Sequence, residues 1–161
     1  TGLGGYAGHS HKYKQKGGSG YLFRTATVQD FSAVTGACLL VRASVYDEVG
    51  GLDEQFAVAF NDVDFCLRVR DAGYRIAWTP YAQLVHYESK SRGGDEKDPA
   101  KAARFAAEQQ RLYAIHGKED ILDDPYYNPN LTRDREDFSE SDDLRRLKEG
   151  TVTVRFRGGE A

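Results

Sequence analysis

The segment Phe60–Arg68, FNDVDFCLR, sets two carboxylates, Asp62 and Asp64, on either side of a valine. Such a pair can do three things. It can grip a divalent cation as an Asp-x-Asp motif, it can supply a general base for a hydroxyl proton, or it can complement the positive end of a helix. Backbone geometry weighs between them. Side chains at i and i+2 share a face of a strand, but on a helix they project roughly 200° apart and hold a common ion poorly. Asn61 is a good N-cap, and Phe65, Cys66, Val69 and Ala72 recur behind it with helical spacing up to Gly73. Both acids therefore fall in a first helical turn, where complementing the helix dipole is worth ~0.3–1 kcal/mol each.

Other side chains with chemical potential are scattered around this pair. His86 ends an apolar run 24 residues beyond Asp62, and on residue type alone it is a rim histidine with a hydrogen bond. Lys90, Ser91 and Arg92 form a basic turn. Gly36 sits in an apolar run, where it either packs closely or lets a ligand approach the backbone. Trp78, next to Pro80 at a strand end, could stack on a sugar or simply pack. His9 and His11 lie in a glycine-rich loop with no acidic or cysteine partner, which reads as solvated rather than metal-binding.

The elements that must position these groups follow from periodicity. Residues 1–20 are glycine- and lysine-rich and read as loop. Residues 33–42, AVTGACLLVR, form a near-continuous apolar run, the pattern of a strand buried on both faces. Ser44 can cap a short helix that ends at Gly50-Gly51. YRIAW (74–78) and AQLVHYE (82–88) read as strands separated by Pro80. Residues 99–116 form a helix from Pro99 to Gly117, with Ala103, Ala106, Ala107, Leu112 and Ile115 on its apolar face. The turn-rich DDPYYNPNLT is expected to lie as an ordered arm against the domain. Residues 133–161 are a charged tail that looks solvated to 149, with TVTVRFR at 151–157 alternating as an edge strand would.

With 161 residues, the chain suits one domain. It is 40% hydrophobic, 29% charged and 12% aromatic, and 22 basic against 25 acidic residues leave a net charge of −3. That balance argues against a nucleic-acid or membrane-surface partner. No apolar run approaches the ~18 residues of a membrane span, and no signal-peptide pattern opens the sequence, so a cytoplasmic protein, free or at the inner face of the membrane, is expected. Cys38 and Cys66 both lie among apolar residues, as buried free thiols of a reducing compartment would.

One longer stretch adds what single residues cannot. TGACLLVR, VGGLDE, NDVDFCLR, AGYRIAWTP and LVHYESKSRG follow one another between Thr35 and Gly93, flanked by GLGGYAGH and DPYYNPNL. In order and spacing they resemble the acceptor half of family 2 glycosyltransferases, inverting GT-A enzymes that include bacterial rhamnosyl- and galactosyltransferases. The resemblance covers residues 1–132. It implies an α/β fold, a partial GT-A domain with a mixed sheet and flanking helices, and the transfer of sugar from a nucleotide-sugar donor to a saccharide acceptor in surface polysaccharide synthesis. The family's general base is the aspartate of a Glu-Asp pair at this helix start; here the pair is Asn61-Asp62, so the base position is kept and the glutamate is replaced. The resemblance also makes His86 a ligand of Mn²⁺ or Mg²⁺; with a glycosyltransferase in view, the functional reading of the basic turn gives Lys90, Ser91 and Arg92 to the departing diphosphate, and that of Gly36, Asn61, Asp64 and Trp78 places them around the acceptor.

The family's nucleotide-binding half, with its parallel strands and its own Asp-x-Asp, does not precede Leu39. The expectation is therefore a chain that lacks the N-terminal half, holds the cation unstably and is inactive in isolation, with an exposed sheet edge open to homodimerisation. Two other functions stay open on the sequence: a non-catalytic carbohydrate-binding or scaffold module, and a metal-dependent hydrolase using Asp62, Asp64 and His86.

Overall fold

The computed structural model describes residues 1–2, 4, 6–11, 17–85 and 98–141. In chain order the described elements are β1 (Gln29–Asp30), α1 (Ala43–Glu48), α2 (Asn61–Asp71), β2 (Ala77–Trp78), α3 (Pro99–His116) and α4 (Lys118–Leu122), with short 3₁₀ turns at Tyr21–Phe23 and Gly36–Cys38. Helices thus combine with one small sheet, as in part of an α/β domain. The sheet is a two-stranded antiparallel pair rather than the expected mixed sheet, with Gln29 opposite Trp78 and Asp30 opposite Ala77.

α2 is the central element and is buried on two sides. Phe65, Cys66 and Val69 pack with Val45 of α1 and with Ile76. On its other side Leu67 joins Phe56, Phe60, Leu112 of α3 and Ile121 of α4. The sequence pattern showed only the first of these faces, and it included Ala72, which is exposed. A third cluster, Tyr127, Leu131 and Phe138 with Tyr21 against it, fixes the arm after α4. The arm is thus ordered, as its composition suggested. The charged stretch that follows is not solvated throughout, because Phe138 is buried and Leu131 bridges to Glu140.

Helix ends follow ordinary capping chemistry at α3. The Asp98 carboxylate accepts the Ala100 N–H at 2.9 Å, Pro99 occupies the first turn, and Gly117 leaves the helix with φ 77°. The face of α3 differs from the expected alanine stripe. Ala103, Ala106 and Ala107 are exposed and Ile115 is 45% exposed, while Glu108 and Leu112 are buried and Phe105 is half-buried. Alanines gain little from burial, so the larger Phe105 and Leu112 set the rotation of the helix. Glu108 turns inward with them and accepts the backbone N–H groups of Val58 and Ala59, at 3.3 and 2.6 Å. Glu108→Gln presents an amide N–H to one of those donors and is expected to lower stability by about 1–3 kcal/mol in urea unfolding. An unchanged midpoint and slope would show that the 58–60 loop does not depend on it.

Four further expectations fail. Residues 33–42 form no strand: Thr35 Oγ1 caps the Gly36–Cys38 turn from the Ala37 N–H at 3.3 Å, and Leu40 is 98% exposed. A strand buried on both faces needs neighbours on both edges, and the described residues supply none. Cys38 consequently sits exposed on that turn, whereas Cys66 is buried; both are free thiols. Ser44 is not the cap of α1, which begins after Arg42 with no side-chain cap. Residues 82–85 are also unpaired and exposed, with Leu84 at 70% and Val85 at 73%. Residues 86–88 of that run, and the 151–157 alternation, lie outside the described residues.

Candidate active site

Asp62 is presented by an unusual helix start. The residue before α2 is Phe60, in the left-handed region at φ 65°, rather than Asn61 as expected. The Phe60 carbonyl accepts the Asp64 N–H at 2.8 Å, and Asn61 turns its side chain to the Asp62 N–H at 2.7 Å. A left-handed phenylalanine costs about 1–2 kcal/mol and persists only where packing fixes it. Here the Phe60 ring is buried, edge-on to Tyr6 at 5.4 Å and tilted against Phe105 at 5.0 Å.

That start turns the Asp62 carboxylate toward the Gly36 turn. Oδ2 accepts the Gly36 N–H at 2.7 Å, and Oδ1 accepts the Val63 N–H at 2.8 Å. Each oxygen keeps lone-pair capacity beyond these bonds. A Cβ on Gly36 would lie 3.2 Å from the Asp62 Cβ, so the close approach of turn and helix needs a glycine or a small shift. Gly36→Ala is expected to leave thermal stability nearly unchanged while displacing the carboxylate by a few tenths of an ångström. A misplacement of 1 Å can cost about 10²-fold in rate, so the expected loss of activity is several-fold. Equal rates for the two proteins would mean that the helix yields without moving Asp62.

Asp62 lines a cavity of about 380 Å³, toward the lower end of the ~300–1,000 Å³ range of ligand sites. Val34, Thr35, Phe60 and Phe105 share its wall, and the N-terminal segment and the arm close the other side with His9, Tyr126, Glu136 and Phe138. Arg24 braces that far side. Its guanidinium donates to the Tyr126 carbonyl at 3.0 Å and lies 4.9 Å from the Phe31 ring centre. Burial lowers the Arg24 pKa, partly opposed by the charge of Asp124. The Asp124 carboxylate on this side accepts the Ser32 hydroxyl at 2.6 Å and the Tyr126 N–H at 2.8 Å.

The other expected site residues are elsewhere. Asp64 is 1% exposed and takes no part in the cavity wall: Oδ2 accepts Arg68 Nε and Nη2 at 2.9 and 2.7 Å, and Oδ1 meets His116 Nε2 at 2.8 Å. The two carboxylates therefore diverge, which counts against a hydrolase using both on one ion. Trp78 packs edge-on against Phe31 at 6.2 Å. His11, expected to be solvated, lies tilted against Phe138 at 4.5 Å and accepts the Tyr21 N–H at 3.4 Å. His86, Lys90, Ser91 and Arg92 lie outside the described residues. Among the described residues no three His, Cys, Asp or Glu side chains come together as a cation site, so those residues do not by themselves fit the implied Mn²⁺ or Mg²⁺. The far wall was missed from sequence because His9, Tyr126 and Glu136 carry no spacing that links them to Asp62.

With this geometry in place, the comparison with known proteins is decisive on one point. The pattern of Glycosyl transferase family group 2 matches residues 8–113, which include Gly36, Asp62 and the α2–α3 frame. The chain belongs to this family. It is 48% identical over 138 residues to the Sinorhizobium fredii protein named Uncharacterized protein y4gI, a match spanning 85% of this chain and 15% of that protein. It is 34% identical over 133 residues to the O-antigen biosynthesis protein RfbC of Myxococcus xanthus, spanning 82% of this chain and 10% of that protein. Over 80 residues it is 36% identical to an N-acetylglucosaminyl-diphospho-decaprenol L-rhamnosyltransferase of Mycobacterium tuberculosis, spanning 50% of this chain and 24% of that protein. The chain thus spans a small part of these relatives. No solved structure matches it. None of its described helices is long and apolar enough to cross a membrane.

Proposed function

We propose that residues 1–161 carry the acceptor-binding wall and the general base of an inverting glycosyltransferase that acts in surface polysaccharide synthesis. The observation that carries this reading is the Asp62 carboxylate, which lies inside the family-matched residues, is held by the Gly36 and Val63 N–H groups and lines a cavity. The named functions of the M. xanthus and M. tuberculosis relatives support the polysaccharide setting.

In the proposed reaction an acceptor hydroxyl attacks the anomeric carbon of a nucleotide sugar from the side opposite the diphosphate. The new carbon–oxygen bond forms as the bond to the diphosphate breaks, and the bonding electrons leave with the diphosphate. The hydroxyl proton passes to Asp62, and the anomeric configuration inverts. A base must stand about 2.6–3.2 Å from that hydroxyl. The two backbone N–H donors fix the orientation of the carboxylate before substrate arrives, so little reorganisation is needed at the moment of transfer. In the family resemblance a divalent cation would offset charge on the diphosphate, with His86 as a ligand. That role and those of Lys90, Ser91 and Arg92 fall on residues outside the described ones, and no step here depends on them.

The test is a transfer assay on the native polypeptide carrying residues 1–161, with a panel of nucleotide sugars and saccharide acceptors. The reading expects a product of inverted anomeric configuration and loss of transfer in Asp62→Asn. Retained configuration, or full transfer by the folded variant, would overturn it.

A further inference from the structure

Asp62 stands at the start of a helix that lacks a capping side chain. Phe60, the residue before α2, offers no hydrogen-bonding group beyond its backbone and holds a left-handed conformation at φ 65°. Its support comes from α3. Glu108 of that helix is 5% exposed, and its two oxygens divide between consecutive amides: Oε1 accepts the Val58 N–H at 3.3 Å and Oε2 the Ala59 N–H at 2.6 Å. Phe105, three residues earlier and so on the same side of α3, sets its ring 5.0 Å from that of Phe60. One face of α3 thus grips the backbone of residues 58 and 59 and the side chain of residue 60. Arg104 offsets the charge of Glu108 from 3.9 Å, beyond hydrogen-bond reach, so both carboxylate oxygens remain with the loop. Ala59, Phe60 and Phe105 line the cavity with Asp62, while Glu108 takes no part in its wall.

We propose that Glu108 is the positioning residue of the base: by clamping residues 58 and 59 it sets where α2 begins, and so where the Asp62 carboxylate stands. This rests on the reading of Asp62 as the base. Ala59 and Asp62 are three residues apart, at most about 11 Å of chain, and the link between them is held at each step. The Phe60 carbonyl accepts the Asp64 N–H at 2.8 Å, which closes the first turn of α2, and Asn61 Oδ1 accepts the Asp62 N–H at 2.7 Å. A shift at Ala59 therefore passes on to Asp62. A left-handed phenylalanine persists only where its surroundings over-determine it. The ring contacts hold its side chain, and the Glu108 bonds hold the backbone just before it. A carboxylate suits this clamp better than the isosteric amide, because it has two acceptor oxygens and accepts the stronger hydrogen bonds. Glu108 in this role touches neither substrate nor the transferred proton; it acts through Asp62.

The experiment is steady-state transfer by the native polypeptide carrying residues 1–161, as wild type, Glu108→Gln, Asp62→Asn and the double variant, each assayed well below its melting midpoint. Glu108→Gln keeps the size of the side chain but turns an N–H toward one of the two amides. It is expected to lower kcat about tenfold, the loss for a displacement near half an ångström where 1 Å costs about 10²-fold, with acceptor KM within about twofold. In the Asp62→Asn background the same change should lower kcat by less than about twofold, because no base remains to be misplaced. A Glu108 that served the fold alone would lower the active fraction by one factor in both backgrounds. Equal factors in the two backgrounds, or a kcat within about twofold of wild type in folded Glu108→Gln, would overturn the proposal. Should Glu108→Gln not fold, Glu108→Asp takes its place, since it keeps both acceptors but holds them a methylene short of the loop, and the same comparisons apply. The two readings fail separately. Normal transfer by Asp62→Asn removes the base, and with it anything for Glu108 to position. Lost transfer in Asp62→Asn, with equal factors for Glu108→Gln, keeps the base and removes its positioning.

Discussion

Asp62→Asn is expected to lower the turnover of the native polypeptide by about 10²–10⁴-fold, the usual worth of a positioned general base. The substitution is close to isosteric, so it isolates proton transfer from shape. One of the two backbone donors, Gly36 N–H at 2.7 Å or Val63 N–H at 2.8 Å, can still be met by the amide oxygen. The other then faces the amide nitrogen, a loss of about 1 kcal/mol that leaves the fold intact. Acceptor KM should therefore change little while kcat collapses, the pattern of an interaction that matters in the transition state and not in binding. Initial rates at saturating donor, measured beside a melting curve, decide it. A kcat within twofold of wild type in a folded protein would remove Asp62 from the chemistry.

How far the sequence could reach this site depends on the kind of signal each residue carries. Local signals served well. The charge and spacing around Asp62 put it in the first turn of a helix, and Pro99 and Gly117 bracket α3 as it stands. Signals that depend on distant partners failed. Residues 33–42 have the composition of a doubly covered strand, but strand formation requires neighbours, and the chain turns at Gly36–Cys38 instead. The alanines of α3 match a helical stripe equally well on several faces, and only Phe105, Glu108 and Leu112 meeting α2 and the 58–60 loop select one. Phe60 in a left-handed conformation has no sequence signal, because packing against Tyr6 and Phe105 overrides its own backbone preference. The arm returning to the cavity is a tertiary fact of the same kind: Tyr126 lies 64 residues beyond Asp62, and nothing local joins them.

Asp64→Ala should be the most damaging single change to the fold, costing about 3 kcal/mol or more, against a total of ~5–15 kcal/mol for a domain. The carboxylate is 1% exposed and ties three elements together. Arg68, one turn on, bonds it while also donating to the Val49 and Gly51 carbonyls after α1, and His116, at the end of α3, meets its other oxygen. Removing it strands His116, whose side chain is 6% exposed, beside a void, and leaves Arg68 with its carbonyl partners alone. The pH dependence gives an independent check. Burial alone would raise the Asp64 pKa, but the hydrogen bonds from His116 and Arg68 and their charges outweigh it, so the folded carboxyl titrates below its ordinary value. A depressed folded pKa stabilises the fold at every pH above the unfolded value of about 3.9, and that share is lost as pH falls below it through the folded pKa. Urea unfolding of the wild type should therefore weaken steeply below about pH 4, and Asp64→Ala, already weaker at pH 7, should show a shallower fall over the same range. Equal slopes for the two proteins would mean that another carboxylate governs acid stability. Because Asp62 stands two residues earlier on α2, this variant should also lose transfer in proportion to the helix it unseats, with Asp62 itself unchanged.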